Sequence, residues 1–301
     1  MKGTTTAPRS IIVPLAKPAQ LDVRAYWQLS KPRVTLLVWL SALAAVWLPG
    51  APVSASLLVS LALGVWLVVA SANGLNQVLE WHHDARMPRT ATRPIPSGRV
   101  GVWEAAVVST TWGVMGVAVL WFLVNPLTSL LGAFALLVYV LIYTPSKRFT
   151  AWCTVIGAVP GAIPPVMGWT ATQGYLGWET GFLFAMQFLW QFPHFWAIAW
   201  KYGREYREAG FHMVPFDDYS GVRVGWAMLG FTVALLALSI VPVFVGWRSI
   251  WYAAGSTLLG AWMIRTSWTF ARGPSGKGAL SVMLASLGYL PLWFILLLLV
   301  R

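Results

Sequence analysis

Three oxygen-bearing side chains stand four residues apart in the run Asn76-Gln77-Val78-Leu79-Glu80-Trp81-His82-His83-Asp84. On a helix, Asn76, Glu80 and Asp84 share one face, because positions four apart lie one above the other. Such a set suits a hard divalent cation such as Mg2+, with phosphate oxygens and water completing its shell. Directly downstream come Arg86, Arg89, Arg93 and Arg99, the last two within Arg93-Pro94-Ile95-Pro96-Ser97-Gly98-Arg99. Guanidinium groups take phosphate oxygens two at a time. A metal-binding face beside an arginine-rich loop is what binding a diphosphate requires. The plain alternative is an interfacial helix end followed by ordinary loop charge. A second basic turn, Tyr143-Thr144-Pro145-Ser146-Lys147-Arg148, and a second acidic pair, Glu205 and Glu208, follow later. Ion pairing along a helix surface with Lys201, Arg204 and Arg207 would explain that acidic pair equally well.

These residues must be held by membrane elements. The 301 residues are 58% apolar and only 10% charged, where a soluble domain carries roughly 25% charge. That excludes a soluble enzyme, a disordered chain and a coiled coil. Spanning helices need about 20 mostly apolar residues each. Nine apolar runs meet the need, at 34–48, 53–79, 102–123, 127–143, 152–171, 178–200, 224–246, 249–270 and 279–300. The predicted fold is therefore all-α and polytopic, with residues 1–30 a polar basic segment and 31–301 one membrane domain. Pro160, Pro164 and Pro165 interrupt the fifth run; such breaks line cavities or are satisfied by neighbouring helices.

Connections alternate between short, nearly uncharged breaks and long basic loops. Of the 21 basic residues, all but Arg248 and Arg301 fall on one side. The positive-inside rule puts that side, with the N-terminus, in the cytoplasm. The first 33 residues contain no apolar stretch of signal-peptide type, and a bacterial inner membrane is the simplest location. The formal net charge of +12 fits basic loops and an anionic partner. Cys153 is the single cysteine, so internal disulfides and multi-cysteine metal sites are excluded.

The spacing Asn76-x-x-x-Glu80-x-x-x-Asp84, followed by Arg89-Thr-x-x-Arg93-Pro-x-Pro-Ser-Gly-Arg99, resembles the first signature of the UbiA superfamily of intramembrane prenyltransferases. Three further stretches resemble its haem O synthase (protohaem IX farnesyltransferase) branch: Tyr-Thr-Pro-x-Lys-Arg at 143–148, Gly-Ala-Val-Pro-Gly-Ala-Ile-Pro-Pro-Val-Met-Gly-Trp at 157–169, and Phe-Leu-Trp-Gln-Phe-Pro-His-Phe-Trp-Ala-Ile-Ala-Trp at 188–200. The likeness runs from about 27 to 300. Two departures stand out. Glu80 occupies a position that is usually Asp, and Gly203-Arg204-Glu205-Tyr206 keeps one acid where two are familiar.

The resemblance implies nine helices around a central cavity. It implies transfer of farnesyl from farnesyl diphosphate to the 2-vinyl group of haem B, dependent on Mg2+. Asn76, Glu80 and Asp84 would hold the metal, with Glu205 a further catalytic acid. Arg89, Arg93, Lys147 and Arg148 would bind the diphosphate, and a haem A synthase would be a possible partner. His194 lies in an apolar run, Pro193-His194-Phe195-Trp196, where an ionisable group is costly and usually functional. Haem iron commonly takes a histidine, so His194 is the candidate haem residue, with a hydrogen bond to a neighbouring helix as the alternative. His82 and His83 sit beside oxygen ligands, which argues against their ligating a metal. An aromatic prenyltransferase of quinone biosynthesis is the alternative within the superfamily; a polytopic transporter is the alternative outside it.

Overall fold

The computed structural model describes residues 22–300. Lys2, Arg9, Lys17 and most of the segment 1–30 lie outside the described residues, as does Arg301. The described elements, in chain order, are α1 (Val23–Leu29), α2 (Pro32–Ala45), α3 (Ala55–Asp84), α4 (Val102–Leu123) and α5 (Pro126–Leu137). A π-helical stretch Val138–Tyr143 leads into α6 (Thr144–Ser146). Then come α7 (Cys153–Gly161), α8 (Ile163–Gln173), α9 (Trp178–Lys201), α10 (Gly203–Glu208), α11 (Val222–Ser239), α12 (Val241–Phe244), α13 (Ile250–Arg272) and α14 (Gly276–Leu299). Every apolar run read from the sequence is helical here. Among the described residues, five helical stretches are individually long and apolar enough to cross a membrane: Ala55–Asp84, Val102–Leu123, Pro126–Ser146, Val222–Phe244 and Gly276–Leu299. The protein is an all-α integral membrane protein.

Local chemistry sets the helix ends. Ser54, Asn125 and Ser275 each accept a hydrogen bond from a backbone N–H of the following first turn, which satisfies one otherwise orphaned donor. The fifth apolar run is broken as the prolines require. At Ala162 the N–H turns back to the Val159 carbonyl at 3.1 Å. The Ala158 carbonyl is thereby released, and Gln191 Nε2 donates to it at 3.0 Å. A neighbouring helix thus repairs the break, so this backbone is not left bare in hydrocarbon.

Helices approach closely where side chains are small. A Cβ at Gly116 would stand 2.9 Å from the Val68 nitrogen, which fixes α4 against α3. One at Gly168 would stand 2.0 Å from the Ala42 carbonyl oxygen, where α8 crosses α2. Two cores result. One joins α2, α3, α4 and α8 through Ala42, Leu61, Val65, Leu120 and Met167. The other joins α9, α11, α13 and α14 through Trp190, Met186, Leu235, Met263, Tyr289 and Trp293. Outside them the surface is itself apolar: Trp103, Phe122 and Leu258 are 85%, 80% and 74% exposed, as lipid-facing residues should be.

Candidate active site

The face read from the sequence exists. α3 runs without a break to Asp84, and Asn76, Glu80 and Asp84 are all buried. Buried carboxylates need partners, and each of the three groups meets a cation from a different segment. Lys31 Nζ donates to Asn76 Oδ1 at 2.7 Å. Lys147 Nζ lies 2.8 Å from Glu80 Oε1 and donates to Oε2 at 3.1 Å. Arg93 Nη1 donates to Asp84 Oδ2 at 2.6 Å.

The segments carrying these cations are themselves tied down. Thr90 Oγ1 donates to the Asp84 carbonyl, which folds the arginine loop back over the end of α3. The Lys147 carbonyl accepts from the His212 N–H at 2.7 Å, and its ammonium sits 4.6 Å from the centre of the Tyr143 ring. Asn76 Nδ2 donates to Thr144 Oγ1 one turn away. Burial works against the charge on Lys147, but Glu80, with Tyr143 and Tyr139, outweighs it and holds the ammonium well above the ordinary lysine value. Lys31 behaves oppositely. Burial, and then the like charges of Arg93 and Lys147, push it down to about 7.

The donor set fits a hard divalent cation. It is all oxygen on one helix face, and Glu80 Oε1, though close to Lys147, makes no hydrogen bond. Oxygen donors of this kind suit Mg2+. Among the described residues no three His, Cys, Asp or Glu side chains converge as a ready metal cluster. The cations now paired with the acids are also the groups that phosphate oxygens would attract.

The other predicted site residues are placed differently. Arg89 lies across the rings of Tyr202 and Tyr206 and donates to Tyr206 Oη at 3.0 Å. Arg148 Nη2 donates to the Leu79 carbonyl, capping backbone near the end of α3, while its Nε is buried and unpartnered. Glu205 on α10 keeps a buried, unpartnered Oε2. Its helix is docked beside the end of α3 by the 2.6 Å contact of His83 Nδ1 with the Ala209 carbonyl. His82 stacks on Trp81. Neither histidine is turned to the acid face through these contacts.

His194 is buried, stacks on Trp190 and meets Ser286 Oγ through Nδ1 at 2.8 Å. Ser286 gives its single proton to the Met283 carbonyl at 2.7 Å. If that proton stays on the carbonyl, the imidazole proton sits on Nδ1; the Met283 carbonyl also meets the His194 ring. The hydrogen bond to the neighbouring helix is present.

Sequence reasoning passed over Lys31, Asn73 and Gln77. Gln77 Nε2 donates to the Leu29 carbonyl at 2.7 Å, and Asn73 Nδ2 to the Ser30 carbonyl and Thr35 Oγ1. The signal was present: three amides, at 73, 76 and 77, interrupt an apolar helix.

The UbiA prenyltransferase family model matches residues 37–295. A relative from Koribacter versatilis named protoheme IX farnesyltransferase is 37% identical, over 97% of this chain and 99% of its own length. Among solved structures, a digeranylgeranylglyceryl phosphate synthase superposes with a TM-score of 0.76 at 16% identity, covering 91% of this chain and 96% of its own. A UbiA homologue from Archaeoglobus fulgidus bound to DMAPP and Mg2+ gives 0.65 at 15% identity, covering 91% and 99%. With the acid face on α3 and the all-helical membrane fold, these likenesses lead to one conclusion: the chain belongs to the UbiA prenyltransferase family.

Proposed function

We propose that this prenyltransferase is a protohaem IX farnesyltransferase, moving the farnesyl group of farnesyl diphosphate onto the 2-vinyl group of haem B. The observation that carries the proposal is full-length identity of 37% to the relative that bears that name. The buried acid face with cations from separate segments supports it. In the reaction the C1–O bond of the donor breaks and diphosphate leaves with the electron pair. The vinyl carbon bonds to C1, water adds at the carbon left cationic beside the porphyrin, and a proton is released. The product is haem O with a hydroxyethylfarnesyl side chain.

Charge builds on the leaving group, so fixed cations aimed at it lower the barrier. Arg93 and Lys147 take that role. Asn76, Glu80 and Asp84 would hold Mg2+, which when bound supplies further neutralisation of the diphosphate. Arg89 and Arg148 act more remotely, as supports of the loops; Glu205 is a candidate second acid of the same site. His194, held by Ser286 and with Trp190 against its ring, orients haem. We place the enzyme in a bacterial inner membrane, with the N-terminus and long basic loops cytoplasmic and residues 31–301 forming one domain. A haem A synthase would take the product onward. The test is mass analysis of haem extracted from membranes with and without the protein. Haem O appearing only with the protein supports the proposal, and unchanged haem B overturns it.

A further inference from the structure

We infer that Lys31 is a third cation of the diphosphate site, and that its ammonium moves from Asn76 to the phosphate oxygens when the donor binds. The inference rests on reading the acid face as a diphosphate site. The first observation is position. Lys31 Nζ reaches Asn76 Oδ1, the first of three oxygen groups whose other two already hold Arg93 and Lys147. Glu80 and Asp84 each have a cation of their own, so Lys31 has no carboxylate left to neutralise it. With Lys31 protonated, three positive charges face two negative ones. Buried excess charge is costly unless a counter-ion completes it, and an anionic ligand restores the balance.

The second observation is the backbone. Lys31 is in the left-handed region, with φ 49° and ψ 61°, which L-residues other than Asn and Asp seldom adopt. Pro32 begins α2 directly after it. This conformation persists because α3 enforces it. Gln77 and Asn73 hold the Leu29 and Ser30 carbonyls, and Thr35 Oγ1 donates to Ser30 oxygen at 2.6 Å. Two amide side chains of α3 are thus committed to the turn, and a third, Asn76, receives the ammonium it presents. Strained residues held by their surroundings mark functional sites. A lysine that only steadied Asn76 would not require it, since Thr144 already engages that amide.

The test is calorimetric binding of inorganic pyrophosphate, with Mg2+ present, to the full chain in lipid nanodiscs. Lys31→Met is expected to weaken binding by about 10- to 150-fold, the range for a lost charge-assisted contact. Lys31→Arg should bind within a few-fold of wild type. Should the Met variant fold poorly, Lys31→Cys supplies the same test: weak binding as the thiol, restored when bromoethylamine rebuilds an ammonium of equal reach. Cys153 is buried and serves as the unreacted background. Wild-type affinity in Lys31→Met, or in Lys31→Cys before alkylation, overturns the inference. Lys147→Met separates the two levels. If it weakens binding while Lys31→Met does not, only the role of Lys31 fails; if neither weakens it, the diphosphate reading of the whole face fails.

Discussion

Arg93 and Arg89 lie four residues apart and do different work. Arg93 is bonded to a buried carboxylate, whereas Arg89 lies over two tyrosine rings. Neutralising Arg93 as Arg93→Met should raise the prenyl diphosphate requirement by about 10- to 150-fold. Arg89→Met loses a surface cation–π contact worth about 0.5–1 kcal/mol and should shift the same requirement only a few-fold. Steady-state kinetics with varied donor separate the two, and equal losses would contradict the placement. Glu80→Gln should reduce transfer to background while the protein still folds, because the amide keeps an acceptor for Lys147. Glu80→Ala should in addition lower the melting temperature, since removing one partner of a buried pair costs about 3–5 kcal/mol. Full activity in Glu80→Gln would remove this residue from the chemistry. At the haem end, Ser286→Ala removes the hydrogen bond at Nδ1 that fixes the His194 ring. The expected result is an altered spectrum of added haem with unchanged pyrophosphate binding. A spectrum identical to wild type would reduce His194 to a packing residue.

Among the elements, α11 depends on a single acid at its start. Asp218 Oδ2 accepts from the Arg223 and Val224 N–H groups at 2.6 and 3.2 Å. Burial alone would raise its pKa, but bonds from the Ser220 hydroxyl and from the Val224, Arg223 and Gly221 N–H groups outweigh it and hold the carboxyl below the usual range. Stability from a depressed carboxylate is complete above its unfolded value of about 3.9 and is lost as pH falls through the lower folded value. Asp218→Ala should therefore cost about 1 kcal/mol at neutral pH. Thermal unfolding should show that gap narrowing under acid, and a gap that is flat with pH would contradict the assignment. The helix inventory was legible because apolar runs of spanning length leave few alternatives. The end of α3 was not. The apolar run stops at 79, so the shared face of Glu80 and Asp84 was conditional on the helix continuing; it does continue to Asp84, where cations from other segments satisfy its buried face. Lys31 read as one loop charge among many, since its meaning lies in the Asn76 contact and a backbone conformation that spacing does not reveal. Arg89 and Arg148 were grouped with Arg93 and Lys147 by resemblance, which does not reveal that Arg89 lies over the Tyr206 ring and that Arg148 bonds the Leu79 carbonyl.

At the scale of the molecule, the acid face and His194 lie on helices of different buried clusters. The α2–α3–α4–α8 half carries the acid face, and the α9–α11–α13–α14 half carries His194 with its Trp190 and Ser286 neighbours. The most direct measurement of the central claim uses purified protein in nanodiscs with farnesyl diphosphate and Mg2+, offered haem B and 4-hydroxybenzoate together, with products read by mass spectrometry. The account predicts haem carrying a hydroxyethylfarnesyl group, none in Glu80→Gln, and no prenylated benzoate. Prenylated benzoate with haem B untouched would contradict it.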